Sequence, residues 1–167
     1  MNLQEWKNIG FDQTTLKHRE LVQEVIKKYN PESILDVGCG NGPDMALSEM
    51  NFPTAKVIGF DKDKSNTDFI HQHVSNKSFI GELELILPIL RDGSFDVVLT
   101  NGVLMYVNRE LFHELKRIAK KVVILSERDA EERILNVIKP FNPIITKIVG
   151  EVRETWKNDG YIYEIPL

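Results

Sequence analysis

The sequence contains one cysteine, Cys39, so neither an internal disulfide nor a multi-cysteine metal site can be built from it. No apolar run approaches the length of a membrane span, and residues 1–10 carry no long apolar core of the secretory type. We therefore expect a cytoplasmic protein with no membrane segment. There is no excess of positive charge either: 21 Lys+Arg against 25 Asp+Glu leave a net charge of -4, which argues against nucleic acid held through its phosphates. Repeats, low-complexity stretches and linkers are absent. At 167 residues, 42% hydrophobic and 28% charged, the chain can bury one good core but not a second substrate domain. Residues 1–167 are thus expected to form a single domain, with 1–30 as a covering helix and lid.

What the sequence does have is concentrated in residues 34–43, Ile-Leu-Asp-Val-Gly-Cys-Gly-Asn-Gly-Pro. Ile34, Leu35 and Val37, interrupted only by Asp36, predict a short buried strand that empties into three glycines. Gly38, Gly40 and Gly42 allow positive φ and leave main-chain N–H groups open to a ligand. Apolar spacing over 41–50 predicts a helix whose positive end faces that loop. A dinucleotide-binding turn requires G-x-G-x-x-G, whereas these glycines fall as G-x-G-x-G with Pro43 in the third place, which weakens a pyrophosphate reading. Cys39 reads as a small residue fitting the tight loop in preference to a nucleophile.

The segment resembles the first motif of class I S-adenosylmethionine-dependent methyltransferases. That resemblance implies a Rossmann-like α/β fold: a mainly parallel seven-stranded sheet, helices on both faces and an antiparallel C-terminal hairpin. Other stretches agree with it. Residues 56–60 predict a second strand ending at Asp61, about twenty positions past the loop, where one carboxylate matches two vicinal ribose hydroxyls. Asp63 predicts the cap of a helix over 64–73. On that helix His71 and His73, two apart, share no face and give a metal site little support. Residues 77–80 predict a third strand, and the resemblance places Glu82 beside the adenine amino group. Residues 92–98, with an Asp92-Gly93 turn, resemble the family's approach to its fourth strand.

The fourth strand, 97–100, discharges into Asn101-Gly102-Val103-Leu104-Met105-Tyr106-Val107, and ligands of open α/β sheets lie beyond such carboxyl ends. Asn101 and Tyr106 become site candidates, although a core aromatic with a locally satisfied hydroxyl is the simpler expectation for Tyr106. The loop differs from the Asn-Pro-Pro-Tyr type of methyltransferases acting on adenine and glutamine amino groups. It is similar instead to methylases of sugar and surface-polysaccharide biosynthesis. A helix over 110–120 and a fifth strand over 121–125 follow, with Ser126, Glu127 and Arg128 reading as a substrate rim or as a capped turn before a helix near 130–138. Segments 144–152 and 161–165 flank Lys157-Asn158-Asp159-Gly160 as a hairpin.

Ahead of the glycine loop, residues 13–28 predict a helix that groups Leu16, Leu21, Val22, Val25 and Ile26 on one side and ends at Asn30-Pro31. Trp6 and Phe11 before it suit a lid or plain surface packing, and His18 and Arg19 suit a solvated helix face. The resemblance implies S-adenosyl-L-methionine as cofactor, held by Asp36, Gly38, Cys39, Gly40, Gly42, Asp61, Lys62, Glu82, Leu83 and Asn101. Substrate candidates are Tyr106, Glu127 and His18, for a small-molecule acceptor and with room for a protein partner. No metal is expected. Two alternatives stay open: a non-catalytic binding or activator protein of the same fold, which has no chemical reason to retain the loop glycines, Asp61 and Glu82, and a nicotinamide-dependent oxidoreductase, which conflicts with Pro43.

Overall fold

A strand that is apolar on both faces needs cover on both, and in the computed structural model β1 (Ser33–Val37) has strands to either side and helices above and below. The structure describes residues 13–103, 106–127, 132–148 and 160–167. β1 pairs in parallel with β2 (Lys56–Asp61) on one side and with β4 (Phe95–Asn101) on the other, at registers Val37↔Phe60 and Val37↔Thr100. Outside these lie β3 (Ser78–Ile80) next to β2, and β5 (Ala119–Glu127) next to β4. The sheet is completed by β7 (Gly160–Pro166) and β6 (Ile144–Ile148), giving the order β3-β2-β1-β4-β5-β7-β6. β7 runs antiparallel to both neighbours, as the hairpin signal predicts; its turn residues 157–159 lie outside the described residues.

Alternation along each strand divides the core in two. Ile34, Val57, Val97, Leu99, Val122 and Ile124 face α1 (Gln13–Lys27), α2 (Pro43–Asn51) and α3 (Lys64–His73), meeting Val22, Val25, Ile26, Met45 and Ile70. Leu35, Val98, Val123, Leu125, Tyr163 and Ile165 face the opposite way and meet Leu111, Phe112, Leu115 and Ile118 of α5 (Arg109–Ile118). The short α4 (Leu83–Ile86) follows β3, and α6 (Glu132–Ile138) follows β5. Among the described residues no helix is long and apolar enough to cross a membrane.

Local chemistry sets the helix ends. Asp63 caps α3, its carboxylate accepting the Ser65 amide, and Asn108 caps α5 by accepting from Leu111. α2 starts at Pro43, two residues later than the periodicity predicts, because proline's fixed φ suits the first helical position and left-handed Gly42 turns the chain into it. Leu21 is a correction: it is 39% exposed, since Val22, Val25 and Ile26 define the covered stripe of α1 and a one-residue step rotates Leu21 to its edge. The side chain of Leu16, Trp6 and Phe11 lie outside the described residues.

α1 is fastened at its C-terminal end by Glu164 of β7, which is 1% exposed and accepts from Lys28 Nζ at 2.9 Å and Tyr29 Oη at 3.2 Å. Burial first, then the Glu164 charge and hydrogen bond, push the Tyr29 phenol from 10.0 up to about 12. A folded-state value above the unfolded one gives stability that is complete below pH 10 and lost as pH rises through about 12. Glu164→Gln is expected to reduce unfolding free energy in urea by about 1–3 kcal/mol, the range for hydrogen bonds to a charged group. It should also move the Tyr29 titration part of the way back, read by phenolate absorbance; an unmoved titration would show that burial alone sets it.

Candidate functional site

The carboxyl ends of β1, β2 and β4 converge on the glycine loop. Gly38, with φ +67°, lies so close to the β4 loop that a Cβ there would stand 2.6 Å from Val103 Cγ2. Gly40, with φ +53°, has nothing within 4 Å of where its Cβ would be, so main chain is bared to open space. The loop is pinned to the next strand by Cys39 N to Phe60 O, 3.0 Å, and by Gly40 N to Asp61 Oδ2, 2.9 Å. Asp61 Oδ1 accepts in addition from Asp63 N at 2.9 Å and Asn66 Nδ2 at 3.1 Å.

Beside this loop is a cleft of about 220 Å³ lined by Gly38, Phe60, Asp61, Lys62, Gly81, Glu82, Leu83, Glu84, Asn101, Gly102, Val103 and Tyr106. Seven residues singled out in the sequence therefore meet: Gly38, Asp61, Lys62, Glu82, Leu83, Asn101 and Tyr106. Glu82 opens α4 without using its side chain as a cap. Tyr106 is 55% exposed on the cleft rim, with Lys62 Nζ 4.9 Å from its ring centroid, which corrects the core-aromatic expectation. Its loop leaves the sheet before the ring can be covered.

Other candidates sit elsewhere. Gly42 faces Ile70 and Cys39 is 5% exposed, packed toward Gly59 and Met45; neither lines the cleft. Burial, then the Asp36 and Asp61 charges, push the Cys39 thiol up, which suits a structural residue and not a nucleophile. His18 and Arg19 do not form a solvated face: His18 Nε2 meets Ser126 Oγ, and Arg19 pairs with Asp44 Oδ2. Ser126 and Asp44 are both buried on the sheet and α2, so α1 must turn these polar groups inward to match them. Glu127 ends β5 opposite Tyr161 and lies outside the cleft lining; Arg128 lies outside the described residues. His71 Nε2 bonds Ser78 O at 2.9 Å, the His73 ring contacts Phe69, and no metal-binding cluster occurs among the described residues.

Sequence reading missed Asp44. This carboxylate, in the first turn of α2, accepts from Asn101 Nδ2 at 3.1 Å while pairing with Arg19. The signal was present, since a carboxylate directly after an N-terminal proline answers the helix dipole. Gly81, Gly102 and Val103, which loops bring to the cleft without a periodic pattern, and Glu84, in the single-turn helix α4, were also unassigned.

An adenosine-type cofactor fits these residues. A carboxylate offers about four acceptor positions, and three N–H donors occupy Asp61, leaving acceptor capacity for a hydroxyl. Glu82 adds a second carboxylate to the cleft lining, and the open space at Gly40 lets a ligand approach main chain. Fold and cleft together define a Rossmann-like protein that receives a nucleoside at a topological switch point.

Residues 35–125 match the family described as methyltransferase domain, and the chain belongs to that family. Membership of this family assigns S-adenosyl-L-methionine as cofactor. A ribosomal protein L11 methyltransferase from Desulfotalea psychrophila is 27% identical over 142 residues, covering 79% of this chain and 45% of that protein. The chain spans less than half the length of the curated relatives it matches. Among solved structures, a SAM-dependent methyltransferase from Aquifex aeolicus superposes with TM-score 0.64 at 19% identity, covering 99% of both chains. The plantazolicin methyltransferase BpumL, solved with a triazolic desmethylPZN analogue and SAH, gives TM-score 0.67 at 12% identity over 89% of this chain and 84% of that one.

Asp36, on β1 under α1, is 2% exposed and its Oδ2 has no hydrogen-bond partner. Burial, opposed by Arg19 and reinforced by Asp61, pushes its carboxyl from 3.8 up to about 7. A raised folded-state value means stability that is full below pH 3.8 and lost as pH rises through about 7. We expect wild-type stability in urea to fall by up to roughly 2 kcal/mol between mildly acidic and neutral pH, at 1.36 kcal/mol per pKa unit. Asp36→Asn should flatten that slope. Parallel slopes in the two proteins would show that Asp36 ionises normally.

Proposed function

We propose that this domain transfers a methyl group from S-adenosyl-L-methionine to a small-molecule nucleophile, in the cytoplasm, as a single domain of residues 1–167 with 1–30 as an N-terminal lid and sheet-covering helix. The observation that carries this reading is the pair of carboxylates, Asp61 and Glu82, facing one cleft beside a glycine loop with Pro43 where a dinucleotide turn needs glycine. Asp61 takes a ribose hydroxyl at its remaining acceptor position and Glu82 the adenine amine, with Leu83 and Gly38 as apolar and main-chain walls. Asn101 gives one amide N–H to Asp44, which leaves its carbonyl oxygen and its second N–H to offer to the cleft.

When bound, the cofactor supplies a methyl group already activated on a sulfonium. The chain is then asked mainly for alignment and exclusion of water, with a base needed only for a protonated acceptor. Of the three residues singled out for acceptor contact, Tyr106 borders the cleft, whereas His18 is engaged with Ser126 and Glu127, paired with Tyr161 at the end of β5, lies outside the cleft lining. Tyr106 is therefore our leading acceptor-contacting residue. The neighbour solved with a triazolic analogue and SAH supports a small acceptor. The wording of loop 100–107 supports a hydroxylated one, such as a sugar or surface-polysaccharide precursor.

Calorimetry tests the cofactor half directly. S-adenosylmethionine and S-adenosylhomocysteine should bind and nicotinamide dinucleotides should not; the reverse pattern would overturn the class of reaction. Asp61→Ala should weaken cofactor binding by about 1.5–3 kcal/mol, the range for hydrogen bonds to a charged group. It should also lower the melting temperature of the free protein, because the Gly40 and Asp63 amides lose their acceptor. Unchanged affinity in a folded variant would assign the ribose to another residue.

A further inference from the structure

Among the described residues lining the cleft, Lys62 is the one cation, in company with the carboxylates of Asp61, Glu82 and Glu84. It nevertheless forms no ion pair with any of them; its ammonium rests on the Tyr106 ring, 4.9 Å from the centroid. The two side chains reach this contact from separate loops. Lys62 follows β2, where the Asp61 carboxylate holds the neighbouring Asp63 amide, and Tyr106 follows β4, where its own amide bonds Val103 O at 2.9 Å. β1 lies between those two strands, so the contact spans the cleft above the glycine loop.

Neither side chain has a core to support. Tyr106 is 55% exposed and Lys62 is exposed as well, so packing does not explain their meeting. A cation over an aromatic face is attracted to the ring quadrupole, and the attraction strengthens as water is excluded. Filling the cleft would exclude water from the inner side of this pair.

We propose that Lys62 and Tyr106 are binding residues that clasp the cofactor cleft from opposite rims and set how long the cofactor stays, an inference that rests on the cofactor reading above. The clasp opens to admit an adenosine compound and closes over it. The lysine acts as the movable half, because its long flexible stem swings away at little cost while Tyr106 is held by the turn at Val103.

The test is the release of S-adenosylhomocysteine from the whole chain, followed by surface plasmon resonance. Lys62→Met and Tyr106→Leu should each speed dissociation about two- to fivefold, the change that an exposed cation–π contact supports. The double variant should be no faster than the quicker single, because each substitution already breaks the same contact. Lys62→Arg should return the rate toward wild type. Melting temperatures of the free variants should stay at the wild-type value, which separates a clasp from a structural role. Release rates equal to wild type, or a double variant whose acceleration is the product of the singles, overturn the clasp and leave the cofactor reading standing. A wild-type chain that binds neither S-adenosylmethionine nor S-adenosylhomocysteine overturns both.

Discussion

The position of β1 constrains everything else in this molecule. With β2 and then β3 laid down on one side of it and β4 and β5 on the other, the chain reverses its direction of winding at β1. The loops leaving β1 and β4 therefore part in opposite directions and leave a crevice at the carboxyl end of the sheet. The hydrogen bond from Gly40 to Asp61 fixes one wall of that crevice, and the close approach of Gly38 to Val103 fixes the other. A side chain at Gly38 would drive the walls apart, and loss of the Asp61 carboxylate would free the loop.

On one face of the sheet, α1 is attached in two chemically different ways. Its C-terminal half buries Val22, Val25 and Ile26 and ends in the Lys28 and Tyr29 contacts with Glu164. Its preceding turn is held by polar contacts, His18 to Ser126 and Arg19 to Asp44. Asp44 also receives the Asn101 amide, so one buried carboxylate joins the covering helix, the helix after the glycine loop and the end of β4. Movement of α1 is thereby coupled to the orientation of a residue in the cleft wall. Apolar contacts alone would not fix that orientation, because they lack direction.

The site is economical in chemistry. It concentrates acceptors and bare main chain, and among the described residues it shows no metal cluster. Such a site suits a reaction whose activated group arrives with the cofactor, and it leaves specificity to the rim. Tyr106 and Lys62 occupy that rim, where exposure leaves their identity free of the demands of packing.

Local sequence was sufficient for the strands, the glycine loop, the Asp63 cap and the placing of Asp61 at a strand end, because period, turn chemistry and capping act over a few neighbouring residues. It was also sufficient for the antiparallel pair, since β6 and β7 follow one another along the chain. Spacing along the chain could not show that α1 turns His18 and Arg19 inward, because the groups that draw them, Ser126 and Asp44, are 108 and 25 residues away. Nor could it show that Tyr106 stands exposed across from Lys62, or that burial under α1 lifts the Asp36 carboxyl. Those outcomes depend on which strands become neighbours and on how much water the packed helices exclude, and both are properties of the assembled sheet.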